Sequence, residues 1–182
     1  MTTAEIKQRV IAAAQQYGID PDVALAQCQQ ESGFNPSAKS PVGAQGLWQF
    51  MPATWQTYGR GGNPFDVDDA CQAWGRYMSH LLQMFGGRYD LALAGYNSGE
   101  NRSEYKAAAL ENREINWQVF NTPKLRGVFT ETQNYVKKIL GKSGQIDFAL
   151  PDIFSLNNPA NDDFLIYAMI GGGLLLALLL RR

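Results

Sequence analysis

The stretch from Gln29 to Phe50 reads QQESGFNPSAKSPVGAQGLWQF. It holds a single carboxylate, Glu31, followed by glycine, proline and serine residues and then by aromatic ones. Asp20 with Pro21 opens a helix that reaches Glu31 or Ser32 and stops at Gly33. On that helix Ala24, Cys28 and Glu31 share a face, so the acid lies on a small apolar stripe. It also lies at the helix C-terminus, where the partial negative charge disfavours a carboxylate. Burial and the dipole both raise its affinity for a proton. A general acid needs that property, because it must hold a proton near neutral pH and deliver it to a leaving oxygen. A solvated glutamate at a frayed helix end fits the same local pattern equally well. The rest of the chain has to separate the two.

Other chemistries find less support. The 182 residues carry a net charge of -1 and no basic run, which argues against nucleic acid as a partner. One histidine and two cysteines form no zinc-like cluster, and no metal or cofactor is expected. Cys28 and Cys71 both fall inside helical patterns and read first as core thiols, with a disulfide as the alternative. Asp66, Asp68, Asp69 and Asp90 could supply a second catalytic carboxylate, but all four sit where helices begin and capping is the simpler task.

Helices must position these groups. Thr2-x-x-Glu5 is a capping box ahead of Ile6, Val10, Ile11 and Ala14 on one face, and Gly18 stops that helix. Pro52 to Tyr58 reads as a short helix. Val67, Cys71, Trp74, Met78, Leu81 and Phe85 recur at helical steps up to Gly86 and Gly87. Asp90 caps a helix ending near Asn97, and Glu104 to Leu110 continues the pattern. Thr130-x-x-Gln133 is a second capping box, opening a last helix through Val136, Ile139 and Leu140. With no long run of strand period, the spacing predicts a mainly α domain over residues 1–140.

Residues 141–163 read as a connector with apolar positions, Ile146, Phe148, Leu150, Ile153 and Phe154, expected to pack on the domain or at a membrane surface. Residues 164–182 read as a C-terminal transmembrane helix. Phe164 to Leu180 is uncharged and, as a helix, spans roughly 25 Å, near the lower limit for a bilayer. Arg181 and Arg182 would then face the cytoplasm. The N-terminus lacks a secretory signal pattern, since Glu5, Lys7 and Arg9 interrupt any apolar core. The expectation is a single-pass membrane protein whose domain faces a cell wall or is carried in a virion membrane.

Motif order decides the reading of Glu31. Glu31-Ser32 ends a helix, SPVGAQGLWQ follows with Ser40 and Gln49, LAGYNSG brings Tyr96 and Asn97, and ETQNYVKKIL brings Glu131 and Tyr135. Together, over roughly residues 5 to 140, these pieces resemble the lytic transglycosylase family, in the soluble, goose-lysozyme-like branch of the lysozyme superfamily. The resemblance implies a mainly α, lysozyme-like (SLT-type) fold with a groove for peptidoglycan glycan strands. It implies cleavage of the β-1,4 bond between N-acetylmuramic acid and N-acetylglucosamine, with Glu31 as acid and then base. By the same resemblance Ser40 would position Glu31 or the substrate's N-acetyl group, and Gln49 would bind sugar. Tyr96 would hydrogen-bond near Glu31, Asn97 would line the groove, and Glu131 would touch substrate from the first turn of its helix. Trp48 stands where methionine is usual and Gly95 where alanine is usual. These departures bear on glycan preference rather than proton transfer. A muramidase of the same fold, or an inactive glycan-binding or structural membrane protein, are the alternatives.

Overall fold

The computed structural model describes residues 1–120, 122 and 125–143, together with 166–168 and 176–178. Residues 1–146 form one compact unit and 147–182 another. In the first, the helices are α1 (Thr3–Gln16), α2 (Pro21–Ser32), α3 (Pro52–Tyr58), α4 (Val67–Met84), α5 (Tyr89–Ser98), α6 (Ser103–Leu110) and α7 (Arg126–Ser143), with a 3-10 turn at Trp117–Phe120. The fold is mainly helical. Helix starts follow local chemistry. Thr2 and Glu5 close their capping box on α1, Asp20 caps α2 with Pro21 in its first turn, and Asp66 accepts from the Asp68 and Asp69 amides to cap α4. Gly33 ends α2 in the left-handed conformation at φ 62°.

Two starts differ from the sequence expectation. Asp90 does not cap α5. Arg88 occupies the cap position, and Asp90, in the first turn, pairs with its guanidinium at 2.5 Å. That guanidinium also donates to the carbonyls of Ala108 and Arg113, so the pair ties α5 to the end of α6. The last helix begins at Arg126, ahead of the expected cap at Thr130, whose hydroxyl donates back to the Arg126 carbonyl. Burial explains the extra turn. Phe129 stacks on Phe120 at 3.7 Å between ring centroids, and ordering Phe129 orders the residues before it.

The core lies where α2 and α4 meet α1, α5 and α7. At its centre Trp48 stacks on Trp74 with centroids 4.3 Å apart and planes 11° from parallel, and both are fully buried. This stack carries the packing of the loop between α2 and α3 onto α4. Cys28 and Cys71 are buried free thiols, and burial pushes the Cys71 thiol up to about 12.

The loop itself is tightly constructed. Paired bridges join Lys39 to Gln45 and Gln45 to Phe50, and the Gly46 amide donates to the Ala38 carbonyl at 2.8 Å. Gly46 has φ +74°, and a Cβ there would lie 1.8 Å from the Pro64 carbonyl oxygen. Only glycine lets the two backbone segments approach so closely.

In the second unit Ile166–Ala168 (β1) pairs antiparallel with Leu176–Leu178 (β2), Tyr167 opposite Ala177. The transmembrane helix expected over 164–182 is therefore corrected at these positions, which are strand. Ile166 and Tyr167 favour a strand, and the intervening sequence carries Gly171, Gly172 and Gly173, each costing a helix about 1 kcal/mol. The rest of that segment, and the apolar connector positions from Ile146 to Phe154, lie outside the described residues. Among the described residues no helix is long and apolar enough to cross a membrane.

Replacing Gly46 by alanine forces a backbone collision and a left-handed alanine. We expect a loss of about 2–4 kcal/mol in urea unfolding. A variant as stable as the parent would contradict this close approach.

Candidate active site

Glu31 sits in the last turn of α2, half-buried, on the helix that packs against α7. The phenol of Tyr135, on α7, donates to Glu31 Oε1 at 2.5 Å. Burial pushes the Glu31 carboxyl up to about 8, while the Tyr135 hydrogen bond pulls in the opposite direction by favouring the ionised form. Burial dominates. A carboxyl so placed keeps its proton at neutral pH and has a hydrogen-bond donor ready for the charge it acquires on giving that proton away.

Tyr96, on α5, also lies near Glu31, and burial first, then the acid's charge, push its phenol well above the ordinary range. Its hydroxyl donates to the Trp48 carbonyl at 2.9 Å, so it braces the loop next to the acid. Tyr77 and Phe50 flank its ring at 5.0 and 6.1 Å between centroids. Ser32, beside Glu31, donates to the Leu47 carbonyl at 2.7 Å and pins the same loop from the other side.

Ser40 and Gln49 both belong to this loop. Ser40 Oγ accepts the Ala44 amide at 2.9 Å across a tight turn, and it makes no hydrogen bond to Glu31. Gln49 adopts φ +49°, unusual for a residue with a side chain, and donates Nε2 to the carbonyls of Gly46 (2.9 Å) and Ala38 (3.3 Å). A strained backbone held by its own side chain is a feature found at functional positions.

Asn97 is exposed near the end of α5. Its side-chain amide lies 2.7 Å from the buried Thr132 hydroxyl, which also lies 3.0 Å from the Val128 carbonyl. Glu131 is exposed in the second turn of α7 rather than the first, because that helix starts earlier than the capping pattern indicated. Glu31, Tyr96 and Tyr135 thus form one packed group, Ser40 and Gln49 belong to the loop braced beside it, and Asn97 joins α7 through Thr132.

The four aspartates weighed as second carboxylates are engaged elsewhere. Asp66 caps α4, Asp68 lies 3.6 Å from Arg9, Asp69 accepts the Asn63 amide at 2.9 Å, and Asp90 pairs with Arg88.

Sequence reasoning missed the buried polar partners of this group. Gln27, fully buried one turn before Glu31 on α2, donates to the Tyr135 hydroxyl at 3.0 Å and accepts from the Trp74 indole at 3.0 Å. The available signal was a glutamine at i-4 from the acid, inside the stripe containing Ala24 and Cys28.

The raised carboxyl has a consequence for stability. Glu31 binds its proton more tightly in the folded chain than at its ordinary 4.5, so its contribution is fully present below 4.5 and is lost as pH rises towards about 8. Glu31→Gln removes this dependence. Its stability relative to the parent should therefore increase between pH 4.5 and 8, as read by denaturant unfolding across that range. A constant difference would mean the carboxyl titrates normally.

The family described as Transglycosylase SLT domain matches residues 8–118. The soluble lytic murein transglycosylase of Escherichia coli K12 is 28% identical over 150 residues, covering 74% of this chain and 22% of that protein. The transglycosylase of Enterobacteria phage PRD1 is 34% identical over 96 residues, covering 53% of this chain and 36% of the phage protein. Among solved structures, an inactive glutamate-to-glutamine mutant of the lytic transglycosylase Slt of Pseudomonas aeruginosa superposes with TM-score 0.55 at 25% identity, covering 75% of this chain and 23% of that one. The chain spans about a fifth of the length of the soluble relative. With the match extending over more than half of its residues, the chain belongs to the transglycosylase SLT domain family.

Proposed function

We propose that the domain cleaves the β-1,4 bond between N-acetylmuramic acid and N-acetylglucosamine in peptidoglycan, with Glu31 as its one acid and base. The observation that carries this reading is a half-buried carboxyl pushed up to about 8 with a phenol already hydrogen-bonded to one of its oxygens. The names of the relatives, lytic murein transglycosylases, support the same substrate.

Glu31 gives its proton to the glycosidic oxygen as the bond to the anomeric carbon breaks. The substrate's own N-acetyl oxygen closes on that carbon in place of a second carboxylate, the substrate-assisted route. Glu31, now ionised, takes the proton from the sugar's 6-hydroxyl. That oxygen attacks the anomeric carbon and displaces the N-acetyl oxygen, leaving a 1,6-anhydromuramyl end with no water consumed. The occupied state of Asp66, Asp68, Asp69 and Asp90 favours this course over a muramidase that holds water on one of them.

In this reading Ser40 offers its hydroxyl proton to the N-acetyl group, and Gln49 offers Oε1 to a sugar hydroxyl, its Nε2 being held by the loop. Asn97 lines the groove wall, Tyr96 braces the loop beside the acid, and Glu131 accepts from glycan hydroxyls further along. The last helix of the domain, α7, runs to Ser143, and an uncharged run occupies residues 164–180 of the sequence. We read that uncharged run, on composition, as a lipid-contacting segment with the domain on the cell-wall side or carried in a virion membrane. The phage relative supports a phage origin for such a domain.

Mass spectrometry of fragments released from purified peptidoglycan by the full chain should show anhydromuramyl ends, and Glu31→Gln should lower release by about 10²–10⁴-fold or more. Reducing muramic ends would instead establish water as the acceptor. No fragments from a folded parent would leave a glycan-binding or structural protein. Flotation with lipid vesicles, compared with a chain ending at residue 163, tests lipid contact. Equal flotation of the two would reject it.

A further inference from the structure

The hydrogen bonds behind Glu31 have a direction, and one residue sets it. The Trp74 indole nitrogen can only donate. It lies 3.0 Å from Gln27 Oε1, so the oxygen of that amide faces Trp74 and its nitrogen faces the other way. Gln27 Nε2 lies 3.0 Å from the Tyr135 oxygen, and an amide nitrogen cannot accept. The Tyr135 oxygen therefore receives that bond, and its own proton points to Glu31 Oε1. Trp74 and Gln27 are fully buried and Tyr135 is 5% exposed, so water does not compete for these groups.

We propose that Trp74, Gln27 and Tyr135 form a one-way hydrogen-bond relay that holds Glu31 Oε1 as a permanent acceptor and assigns the transferable proton to Oε2. The proposal rests on the reading of Glu31 as acid and base. Trp74 and Gln27 act through Tyr135 and are positioning residues.

In the first step the Oε2–H bond breaks and its proton passes to the leaving oxygen. The electron pair stays on the carboxylate, where the bond from Tyr135 strengthens as the charge develops. In the return step Oε2 recovers a proton from the sugar hydroxyl. The Gln27 N–H, by polarising the phenol, makes Tyr135 a better donor throughout. The titratable groups that face Glu31 are Cys28 on α2, Tyr96 on α5 and Tyr135 on α7. Burial pushes the protonation of all three upward, which keeps them neutral near pH 7. The relay is thus the polar influence that opposes burial at Glu31.

The test uses the full chain and the variants Tyr135→Phe, Gln27→Met and Trp74→Phe, each checked for fold by circular dichroism. Two readouts are taken: the titration of the Glu31 side-chain carboxyl by carbon NMR, and kcat/KM against pH on purified peptidoglycan. Losing the donor makes ionised Glu31 less favourable. In Tyr135→Phe the titration midpoint should rise by about one pH unit, a tenfold tighter proton, and the high-pH limb of activity should move with it. Gln27→Met and Trp74→Phe should move both in the same direction by about twofold in proton affinity, lowering kcat with KM little changed.

A merely structural role would lower stability without moving the titration. Folded Tyr135→Phe and Gln27→Met with the parent's midpoint would overturn the relay. The NMR reading stands apart from catalysis. A shifted midpoint in a chain that releases no wall fragments would uphold the relay and reject the acid–base function.

Discussion

Everything around the end of α2 follows from shielding one carboxyl from much of the water without isolating it. A buried carboxylate is unfavourable, and a carboxyl with no polar neighbour would simply hold its proton. Glu31 is set between these limits. Burial at the end of α2 raises its proton affinity, and a single phenol from α7 restrains that rise. Among the helices, α2 carries the acid and α7 the one donor.

Large aromatic groups make the balance rigid. The Trp48–Trp74 stack is at once the centre of the core and a meeting point of the site's two halves. Through its backbone, Trp48 receives the Tyr96 hydroxyl and belongs to the loop that carries Gln49. Through its indole, Trp74 anchors Gln27 behind the acid. Stability and chemistry therefore rest on the same side chains, and a change of ring at either position is felt by both. The departure from methionine at position 48 reads here as part of the core's centre, since the indole is fully buried.

Much of this was legible from the chain. Helix starts at Thr2, Asp20 and Asp66 follow local capping chemistry, and the αL stop at Gly33 does too, because each depends on a few adjacent residues. The acid's stripe, its helix end and its following loop are local too, but they fit a solvated glutamate equally well, and the order of motifs along the chain singles it out. The sequence was silent where partners are distant. Glu31 and Tyr135 lie 104 residues apart, and Gln27 and Trp74 lie 47 apart, so no spacing rule connects them. The start of α7 was misplaced because burial of Phe129 against Phe120 outweighs a plausible cap at Thr130. In the tail, the uncharged run reads as a helix by composition, whereas strand pairing holds the described positions.

The separation of Glu31 from Tyr135 also sets a timetable. A chain made from its N-terminus presents α2 long before α7 exists. Until α7 docks, Glu31 lacks both its phenol and much of its apolar cover, and it is an ordinary solvated acid. Closing so long a loop is entropically demanding and comes late. The acid consequently matures last, when the final helix of the domain seats, and an incomplete chain carries the glutamate without its chemistry.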